Sequence, residues 1–289
     1  MKNLARILSV VCVLVVIFST QALAAPKDWP SKLIFGLIPT ESSSGLTERF
    51  DNLVTYLERT LGVKVELKTA TDYAGIITGM QFKHLDFAYF GPKSYAEASK
   101  RANAEAFVLE VLEDGTKGYY GVIITKKGSG LNTIQSLKGK LWAFTDPNST
   151  SGTLVPTVYF VKELKIDPDT YFAKVIFSGS HEASILAVKG GKVDGASTND
   201  LDLARGNGKQ WVTEQDFNIL WQSALIPGSP MAYRKDLSDS LKKALREAFL
   251  SYHDPEGLKM LKLKGYAPAT DELYNPIRDL IEVQRQLKK

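Results

Sequence analysis

Three consecutive hydroxyl side chains, Ser149, Thr150 and Ser151, lie between two largely apolar segments of the chain. The segment before them has the pattern of a strand and the one after them that of a helix, so the hydroxyls would lie at a helix N-terminus. Free N–H groups, the helix dipole and the hydroxyl donors together suit a tetrahedral oxyanion such as a phosphoryl group. The alternative is that these hydroxyls only cap the helix.

Catalytic chemistry has little support in the sequence. The chain contains no G-x-S-x-G, G-x-x-x-x-G-K-[ST], G-x-G-x-x-G or H-E-x-x-H motif. Glu182 follows His181, but no second histidine stands four positions after it. Three histidines and one cysteine leave little for metal ligation or nucleophile activation. We therefore expect neither an enzyme nor a metal or cofactor site.

The N-terminus is typical of a secretory signal peptide. Lys2 and Arg6 precede an apolar run from Ile7 to Phe18, and Ala22-Leu23-Ala24 is a cleavage signal, which predicts a signal peptide of residues 1–24 and a secreted protein. The single cysteine, Cys12, lies in this apolar run. The mature chain would therefore contain no disulfide, although its compartment would permit one.

Composition argues against nucleic acid and membrane partners. The net charge is +4, and loss of the two basic residues of the signal peptide leaves 34 basic and 32 acidic residues. The two signs are interspersed, so no basic surface for nucleic acid or anionic lipid is indicated. The mature length suits two lobes or one large domain.

Strand and helix patterns alternate from about residue 33 to residue 222, and three helical patterns follow residue 230. Alternating β and α segments predict an α/β fold with mainly parallel sheets covered by helices. In such folds ligands bind beyond the carboxyl ends of the strands, which is where the hydroxyl run would lie.

Seven motifs occur in the order in which one family of proteins carries them: Thr40-Glu41-Ser42, Asp72-Tyr73-Ala74-Gly75-Ile76-Ile77, Gly118-Tyr119-Tyr120, Asp146 to Gly152 with Leu154-Val155-Pro156, His181-Glu182, Gly191 to Asp200 and Leu225-Ile226-Pro227-Gly228. The chain resembles the phosphonate-binding periplasmic proteins of ABC transporters, a family that includes phosphite-binding proteins. The resemblance covers nearly all of the mature chain, which makes it more specific than any single motif.

The resemblance implies a two-lobed clamshell, the type II periplasmic-binding-protein fold, in which each lobe is a mixed, mainly parallel sheet flanked by helices. Lobe 1 would comprise residues 27–119 and 227–289, and lobe 2 residues 120–226. It implies that the protein captures phosphite or a small phosphonate in the interlobe cleft and delivers it to an ABC permease in the inner membrane. Another oxyanion, such as phosphate or a sulfonate, is the alternative ligand, and a periplasmic enzyme that acts on phosphoryl groups is the more distant alternative.

The resemblance also assigns site residues. It places Ser149, Thr150 and Ser151 on the phosphoryl oxygens, from lobe 2. Tyr73 would reach the ligand from lobe 1, and Tyr119 would close the hinge side. Both tyrosines could instead be core residues. Tyr89, at the end of a predicted strand, is a further candidate for the ligand site.

Three further candidate site residues lie in the later motifs of the resemblance. Glu182 resembles the family carboxylate that meets the amino group of aminoalkylphosphonates, and it could instead compensate a helix dipole. Asp200 could be a second acid at the site or a helix N-cap. Because a carboxylate only accepts hydrogen bonds, either acid would favour a ligand with an acidic O–H or an ammonium group. His181 could donate to the ligand or pack between helices.

Tyr95 is a departure from the aminoalkylphosphonate-binding members, which carry a small residue at this position. A ring facing the cleft would shrink the pocket and favour phosphite or a very small phosphonate, whereas a ring facing the core would not affect the ligand. The chain also lacks the long C-terminal helical extension by which some relatives dimerise, so a monomer is expected.

Overall fold

The computed structural model describes residues 26–208 and 212–287. The predicted signal peptide lies outside these residues. Within the described ranges, no helix is both long and apolar enough to cross a membrane.

Strands and helices alternate along most of this part of the chain. The strands are β1 Lys32–Leu37, β2 Lys64–Thr69, β3 Phe87–Tyr89, β4 Ala104–Leu112, β5 Gly118–Tyr119, β6 Gly121–Lys126, β7 Leu141–Phe144, β8 Lys174–Phe177, β9 Gly195–Asn199, β10 Phe217–Gln222, β11 Ile226–Pro227, β12 Pro230–Arg234 and β13 Leu263–Pro268. The α-helices are α1 Ser43–Leu61, α2 Tyr73–Gln81, α3 Pro92–Ala102, α4 Val155–Val158, α5 Pro168–Tyr171, α6 His181–Lys189, α7 Asp200–Gly208, α8 Asp239–Leu250, α9 Pro255–Leu261 and α10 Asn275–Leu287. Two π-helical turns, Thr150–Leu154 and Tyr159–Glu163, extend α4 at its two ends.

Two mixed sheets organise the molecule. A six-stranded sheet has the order β13-β4-β12-β3-β1-β2, and a five-stranded sheet has the order β10-β6-β9-β7-β8. We call the first sheet with its helices lobe 1 and the second with its helices lobe 2. The chain passes between the lobes at β5 and β11, which pair with each other so that Ile226 lies opposite Tyr119.

The prediction of mixed sheets is confirmed, but the prediction that they are mainly parallel is wrong. In lobe 1, β1 runs parallel to β2 and β3, whereas β12 and β13 are antiparallel to their neighbours. In lobe 2, β7 is parallel to β8 and β9, whereas β6 is antiparallel to β9 and β10. The sequence pattern predicted only helices after residue 230, because β12 is a short buried run and β13 contains Gly265 and Pro268, residues that are uncommon in strands.

Local sequence determines where helix α1 begins, where it ends and which face it buries. The Ser42 side chain accepts a hydrogen bond from the Gly45 N–H and begins the helix. Gly62 ends it with φ of +69°, a left-handed conformation that costs glycine nothing. Leu46, Phe50, Leu53 and Leu57 recur at helical spacing and are buried against the sheet of lobe 1.

Each lobe has its own aromatic core, and a third apolar cluster joins the lobes. Phe35 stacks on Phe87 at 4.4 Å in lobe 1, and Trp142 stacks on Phe172 at 4.9 Å in lobe 2. The joining cluster includes Tyr119 beside the crossover, Leu154 and Val158 of lobe 2, and Ile277 and Ile281 of α10. The C-terminal helix therefore packs against both lobes on the hinge side.

Candidate functional site

A small cavity lies between the two lobes, with about 20 Å³ open to the centre of a water molecule. Its wall is formed by residues from both lobes, most of them polar or aromatic: Ile38, Thr40, Tyr73, Tyr89, Gly91, Tyr119, Ser149, Thr150, His181, Asn199, Leu201, Asp202, Arg205 and Ser229. Because both lobes contribute, the wall is complete only when they are closed together, as they are in this structure.

The lobe 2 side of the cavity is the start of the helical segment that contains the three hydroxyls. Ser149 is its N-cap, and the Ser149 Oγ accepts a 3.0 Å hydrogen bond from the Gly152 N–H. Thr150 begins the helical turn beside it, in the cavity wall. A Cβ on Gly152 would lie 2.2 Å from the Thr145 Oγ1, so only glycine permits this close packing of the turn on β7.

Tyr73 reaches the cavity from lobe 1. It is the first residue of α2, whose N-cap is Asp72, and 1% of its surface is exposed. The Tyr73 hydroxyl has no hydrogen-bond partner among the described residues, although it is buried and lines the cavity. Burial raises the pKa of this phenol well above its ordinary value, so it is a neutral hydroxyl able to donate. A buried hydroxyl without a hydrogen-bond partner costs free energy, so an acceptor atom on a bound ligand would stabilise it.

Two further tyrosines complete the aromatic part of the wall. The Tyr89 hydroxyl donates a 3.3 Å hydrogen bond to Glu110 Oε2, and burial raises the pKa of Tyr89 to about 12. Burial raises the pKa of Tyr119 as well, although the hydroxyls of Thr150 and Ser151 oppose this shift. The wall therefore presents neutral phenols at any ordinary pH.

His181 is the first residue of α6 and lies against the hydroxyl run. Its Nε2 lies 3.3 Å from Ser149 Oγ, and its Nδ1 lies 3.0 Å from Thr198 Oγ1. Burial lowers the pKa of His181 below its ordinary value, although the charge of Asp202 opposes this shift. A neutral imidazole can donate from one nitrogen and accept at the other.

Asp202 and Arg205 form the charged part of the wall, and both stand on α7. Arg205 Nη1 lies 3.2 Å from Asp202 Oδ1, and the Asn199 amide donates a 2.8 Å hydrogen bond to Asp202 Oδ2. Burial raises the pKa of Asp202, but the charges of His181 and Arg205 outweigh it, so the pKa lies below its ordinary value. An ionised carboxylate thus lines the cavity beside the hydroxyl donors.

In residues 26–208 and 212–287, no group of three or more histidine, cysteine, aspartate and glutamate side chains is arranged to hold a metal ion. The cavity is instead a site of hydroxyls, one imidazole, one carboxylate and one guanidinium. Such a set can donate several hydrogen bonds to a tetrahedral oxyanion and accept one from an acidic O–H on it.

The sequence matches one protein family over most of its length. The family described as "ABC transporter, phosphonate, periplasmic substrate-binding protein" matches residues 35–274. The chain belongs to this family. Its members are substrate-binding components of transporters, so the expectation that this chain is not an enzyme is confirmed.

Similar proteins occur in several bacteria. The phosphonates-binding periplasmic protein of Escherichia coli strain K12 is 36% identical over 274 residues, which cover 91% of this chain and 80% of that protein. The phosphate-import protein PhnD of Mycolicibacterium smegmatis is 30% identical over 280 residues, covering 89% of this chain and 87% of that protein. The solved structure of PhnD1 from Prochlorococcus marinus in complex with methylphosphonate has a TM-score of 0.79 at 25% identity, covering 89% of this chain and 99% of that one. The predicted two-lobed type II fold is confirmed by this likeness.

Among the residues that the family resemblance assigned, six lie together in the cavity wall: Tyr73, Tyr89, Tyr119, Ser149, Thr150 and His181. Ser151 lies directly behind the wall, where its Oγ is 3.4 Å from the Asn199 amide nitrogen. Its buried hydroxyl supports Asn199 and Tyr119 and is one residue removed from the cavity.

Tyr95 does not face the cavity of this phosphonate-binding family member. Its ring is fully buried within lobe 1, in edge contact with Tyr274 at 4.8 Å. Its hydroxyl donates a 2.6 Å hydrogen bond to Asp271 and accepts one from the Ala106 N–H. Tyr95 packs α3 against β4 and the C-terminal segment, so the expectation that it narrows the pocket is wrong.

Glu182 and Asp200 also lie outside the cavity wall. Glu182 Oε2 accepts a 2.6 Å hydrogen bond from the Ser42 N–H across the cleft, and its own N–H donates to the Thr40 carbonyl. Asp200 Oδ1 accepts hydrogen bonds from the N–H groups of Tyr120 and Leu201. Both carboxylates are therefore engaged with backbone N–H groups, one between the lobes and one beside the crossover.

Asn199, Asp202 and Arg205 were missed by sequence reasoning, although a signal for the first two exists. The Asp202 N–H donates a 2.7 Å hydrogen bond to Asn199 Oδ1, which makes Asn199 the cap of α7. An Asn followed three positions later by an acid is a pattern of helix starts, and it would have placed the acid at position 202. Nothing local distinguishes Arg205 from a surface arginine.

Proposed function

We propose that this protein is the periplasmic substrate-binding component of an ABC importer and that it captures phosphite or a small phosphonate in the cavity between its lobes. The observation that carries the proposal is the Tyr73 hydroxyl, a buried donor that lacks a partner among the described residues and lines the cavity. A ligand oxygen bound there would satisfy this donor. The neighbouring hydroxyls of Ser149 and Thr150 would meet the other oxygens.

The size of the cavity supports a ligand with few heavy atoms. A volume of about 20 Å³ for water centres compares with roughly 10–15 Å³ for a single water, so the closed cleft has little spare room. Phosphite and methylphosphonate suit this space better than a ligand with a longer substituent. The cavity is small because the lobes are closed, since Tyr95 takes no part in its wall.

The charges of the cavity support a ligand that carries a proton. Asp202 is an acceptor only, and it would repel a fully ionised oxyanion but accept from an acidic O–H. Micromolar binding needs about 8 kcal/mol. Three or four charge-assisted hydrogen bonds at about 1.5–3 kcal/mol each can supply it, less the cost of ordering and closure.

Capture would occur by closure of the lobes about β5 and β11. We propose that residues 27–119 and 227–289 move as one body and residues 120–226 as the other, with the ligand's higher affinity for the closed form driving closure. The closed form would then dock on a permease in the inner membrane. Export to the periplasm through a cleaved N-terminal signal and a monomeric state are parts of the same proposal, and light scattering of the mature protein with and without ligand tests the latter.

Calorimetric titration of the mature protein with phosphite, methylphosphonate, 2-aminoethylphosphonate and phosphate tests the ligand. We expect phosphite or methylphosphonate to bind more tightly than 2-aminoethylphosphonate by at least tenfold, because the closed cavity leaves no room for the longer chain. Absence of heat with all four ligands, for a protein with a normal melting transition, would refute the proposal.

Phosphate is the second candidate ligand. The Mycolicibacterium smegmatis relative is named a phosphate-import protein, and phosphate, like phosphite, can carry a proton for Asp202. The same titration separates the two, because the tighter of the two ligands displaces the other in competition.

A further inference from the structure

Glu110 lies on β4 behind the cavity wall, with 2% of its surface exposed, and is not itself part of that wall. It contacts two groups that are. Glu110 Oε2 accepts the hydrogen bond from the Tyr89 hydroxyl at 3.3 Å, and Glu110 Oε1 lies 3.4 Å from Arg205 Nη2. Tyr89 belongs to lobe 1 and Arg205 to lobe 2, so one hidden carboxylate engages the cavity wall from both sides.

The first consequence concerns Tyr89. Its single hydroxyl proton is committed to Glu110, so the oxygen can offer only lone pairs toward the cavity. Tyr89 therefore differs from Tyr73, whose proton has no acceptor among the described residues. An acceptor-only phenol next to the acceptor-only carboxylate of Asp202 forms a side of the cavity that suits a ligand O–H.

The second consequence concerns Arg205. Its Nη1 is paired with Asp202, and its Nη2 donates both to Glu110 and to the Leu261 carbonyl. The guanidinium that lines the cavity is thus neutralised by two carboxylates. The charge of this cation is thus balanced before a dianionic ligand arrives, although the Arg205 Nε–H has no partner among the described residues. Without Glu110, the guanidinium would offset one more negative charge on the ligand.

The groups around Glu110 come from several elements. The charged ones are Arg205 and Asp202 on α7 and Arg49 on α1, and the titratable phenols are Tyr89, Tyr266 and Tyr274. Arg49 is itself paired with Glu41, at 3.2 Å. Burial raises the pKa of Glu110 above its ordinary value, although the charges of Arg205 and Arg49 oppose this shift, so the ionised form of Glu110 depends on these two guanidiniums.

We propose that Glu110 is a positioning residue that sets the protonation state of the bound oxyanion. By holding the Tyr89 proton and neutralising Arg205, it makes the cavity select a singly charged, protonated ligand over the dianion. The inference rests on the proposed function of the cavity and adds to it the charge state of the ligand and the residue that dictates it.

The test is the pH dependence of phosphite binding, with sulfate as a dianion that carries no proton. In the wild type, phosphite affinity should fall by about tenfold per pH unit above the last ionisation of the ligand, because one proton must then be taken up with it. Sulfate should bind at least tenfold more weakly than phosphite. In Glu110→Gln, the fall should shrink to less than about threefold per unit and sulfate affinity should rise at least tenfold.

Glu110→Asp is the matched control, since it keeps the charge and should keep a steep pH dependence. If Glu110→Gln gives no cooperative melting transition, Tyr89→Phe tests the same idea, because it removes the phenol oxygen that Glu110 holds as an acceptor. This variant should raise sulfate affinity relative to phosphite affinity at least threefold. If a folded Glu110→Gln or Tyr89→Phe variant keeps the pH slope and the sulfate affinity of the wild type, the inference is overturned and the proposed function still stands. A wild-type protein that binds neither phosphite nor methylphosphonate would overturn both.

Discussion

Thr150 and Lys93 connect the two lobes through one short hydrogen bond. The Thr150 Oγ1 in lobe 2 accepts a 2.8 Å bond from the backbone N–H of Lys93, in the first turn of α3 in lobe 1. A hydroxyl of one lobe thus satisfies a helix N-terminus of the other. Because Thr150 accepts here, its own proton remains available to donate, either to Tyr119 or to a ligand oxygen.

Thr150→Val should therefore lose both closure and ligand affinity while keeping the shape of the side chain. We expect affinity for phosphite or methylphosphonate to fall by about fivefold or more, which corresponds to the cost of about 1–3 kcal/mol for an unpaired polar group in a dry site. Thr153→Val is the control, since the Thr153 hydroxyl bonds to the Asp146 carbonyl within lobe 2 and does not line the cavity. Titration calorimetry that finds the two variants equal would contradict a ligand role for Thr150.

Among the carboxylates of α6 and α7, Asp202 rather than Asp200 or Glu182 should influence how binding depends on pH. Asp202→Asn removes the only carboxylate in the cavity wall of the described residues and should flatten the fall of affinity at high pH. Asp200→Asn and Glu182→Gln should keep the wild-type slope, because their carboxylates bond to backbone N–H groups outside the wall. Calorimetry of the three variants from about pH 6 to about pH 8 decides the point. A flattened slope in Asp200→Asn alone would show that Asp200, and not Asp202, accepts the proton of the ligand.

Glu182 should act as a clasp between the lobes. Its carboxylate accepts a 2.6 Å hydrogen bond from the Ser42 N–H, and its own N–H donates a 3.1 Å bond to the Thr40 carbonyl, both in the segment just before α1 across the cleft. Glu182→Ala should weaken phosphite and methylphosphonate alike, by about tenfold or more, because a hydrogen bond to a charged group is worth about 1.5–3 kcal/mol and exists only in the closed form. Stopped-flow measurement should place the loss in the dissociation rate.

Two substitutions of Ser42 provide the control for this clasp. Both Ser42→Ala and Ser42→Pro remove the hydroxyl that caps α1, but only proline removes the N–H that Glu182 accepts. The native φ of −56° suits proline. Ser42→Pro should reproduce the loss seen in Glu182→Ala, and the two changes together should cost no more than either alone. A selective loss of 2-aminoethylphosphonate in Glu182→Ala would instead indicate direct contact with an ammonium group.

Tyr95→Ala should lower stability and leave the ligand ranking unchanged. The ring is fully buried against Tyr274, so its removal creates a cavity and should cost about 3 kcal/mol or more in the free energy of unfolding. Tyr95→Phe keeps the ring and loses only the hydrogen bonds to Asp271 and Ala106, so a smaller loss is expected. Denaturant unfolding and titration with phosphite and 2-aminoethylphosphonate check both expectations. A changed ranking would mean that the ring reaches the ligand after all.

His181 should make the folded protein less stable in acid. Burial lowers its pKa in the folded state below the ordinary 6.5, so the unfolded chain binds a proton that the folded protein does not. The contribution of the neutral His181 side chain to stability is complete above about pH 6.5. It is lost as the pH falls through the lower pKa that His181 has in the folded state. His181→Gln should reduce the slope of unfolding free energy against pH in that window. Equal slopes in wild type and His181→Gln would exclude a buried neutral imidazole.

The local features of the site were predictable from sequence because each depends on residues close together in the chain. Ser149 caps a helical segment as its position after a turn predicts, and α2 begins at Tyr73 behind the cap Asp72. Gly62 ends α1. The order of motifs along the chain likewise identified the family before any contact between distant residues was known. Capping, turn formation and hydrophobic periodicity act over a few residues, and the sequence displays them directly.

Which side chains face the cavity was decided only by the tertiary structure. Asp200 and Asp202 are two positions apart on one helix, and at 3.6 residues per turn they point about 200° apart, so only one can face the cleft. The packing of α7 against lobe 1 selects Asp202, just as the packing of α3 on β4 and the C-terminal segment turns Tyr95 into the core. Arg205 joins the site because Glu110, 95 residues away in the chain, lies opposite it. The facing of a side chain depends on how elements dock, and that depends on contacts which no short segment of the sequence contains.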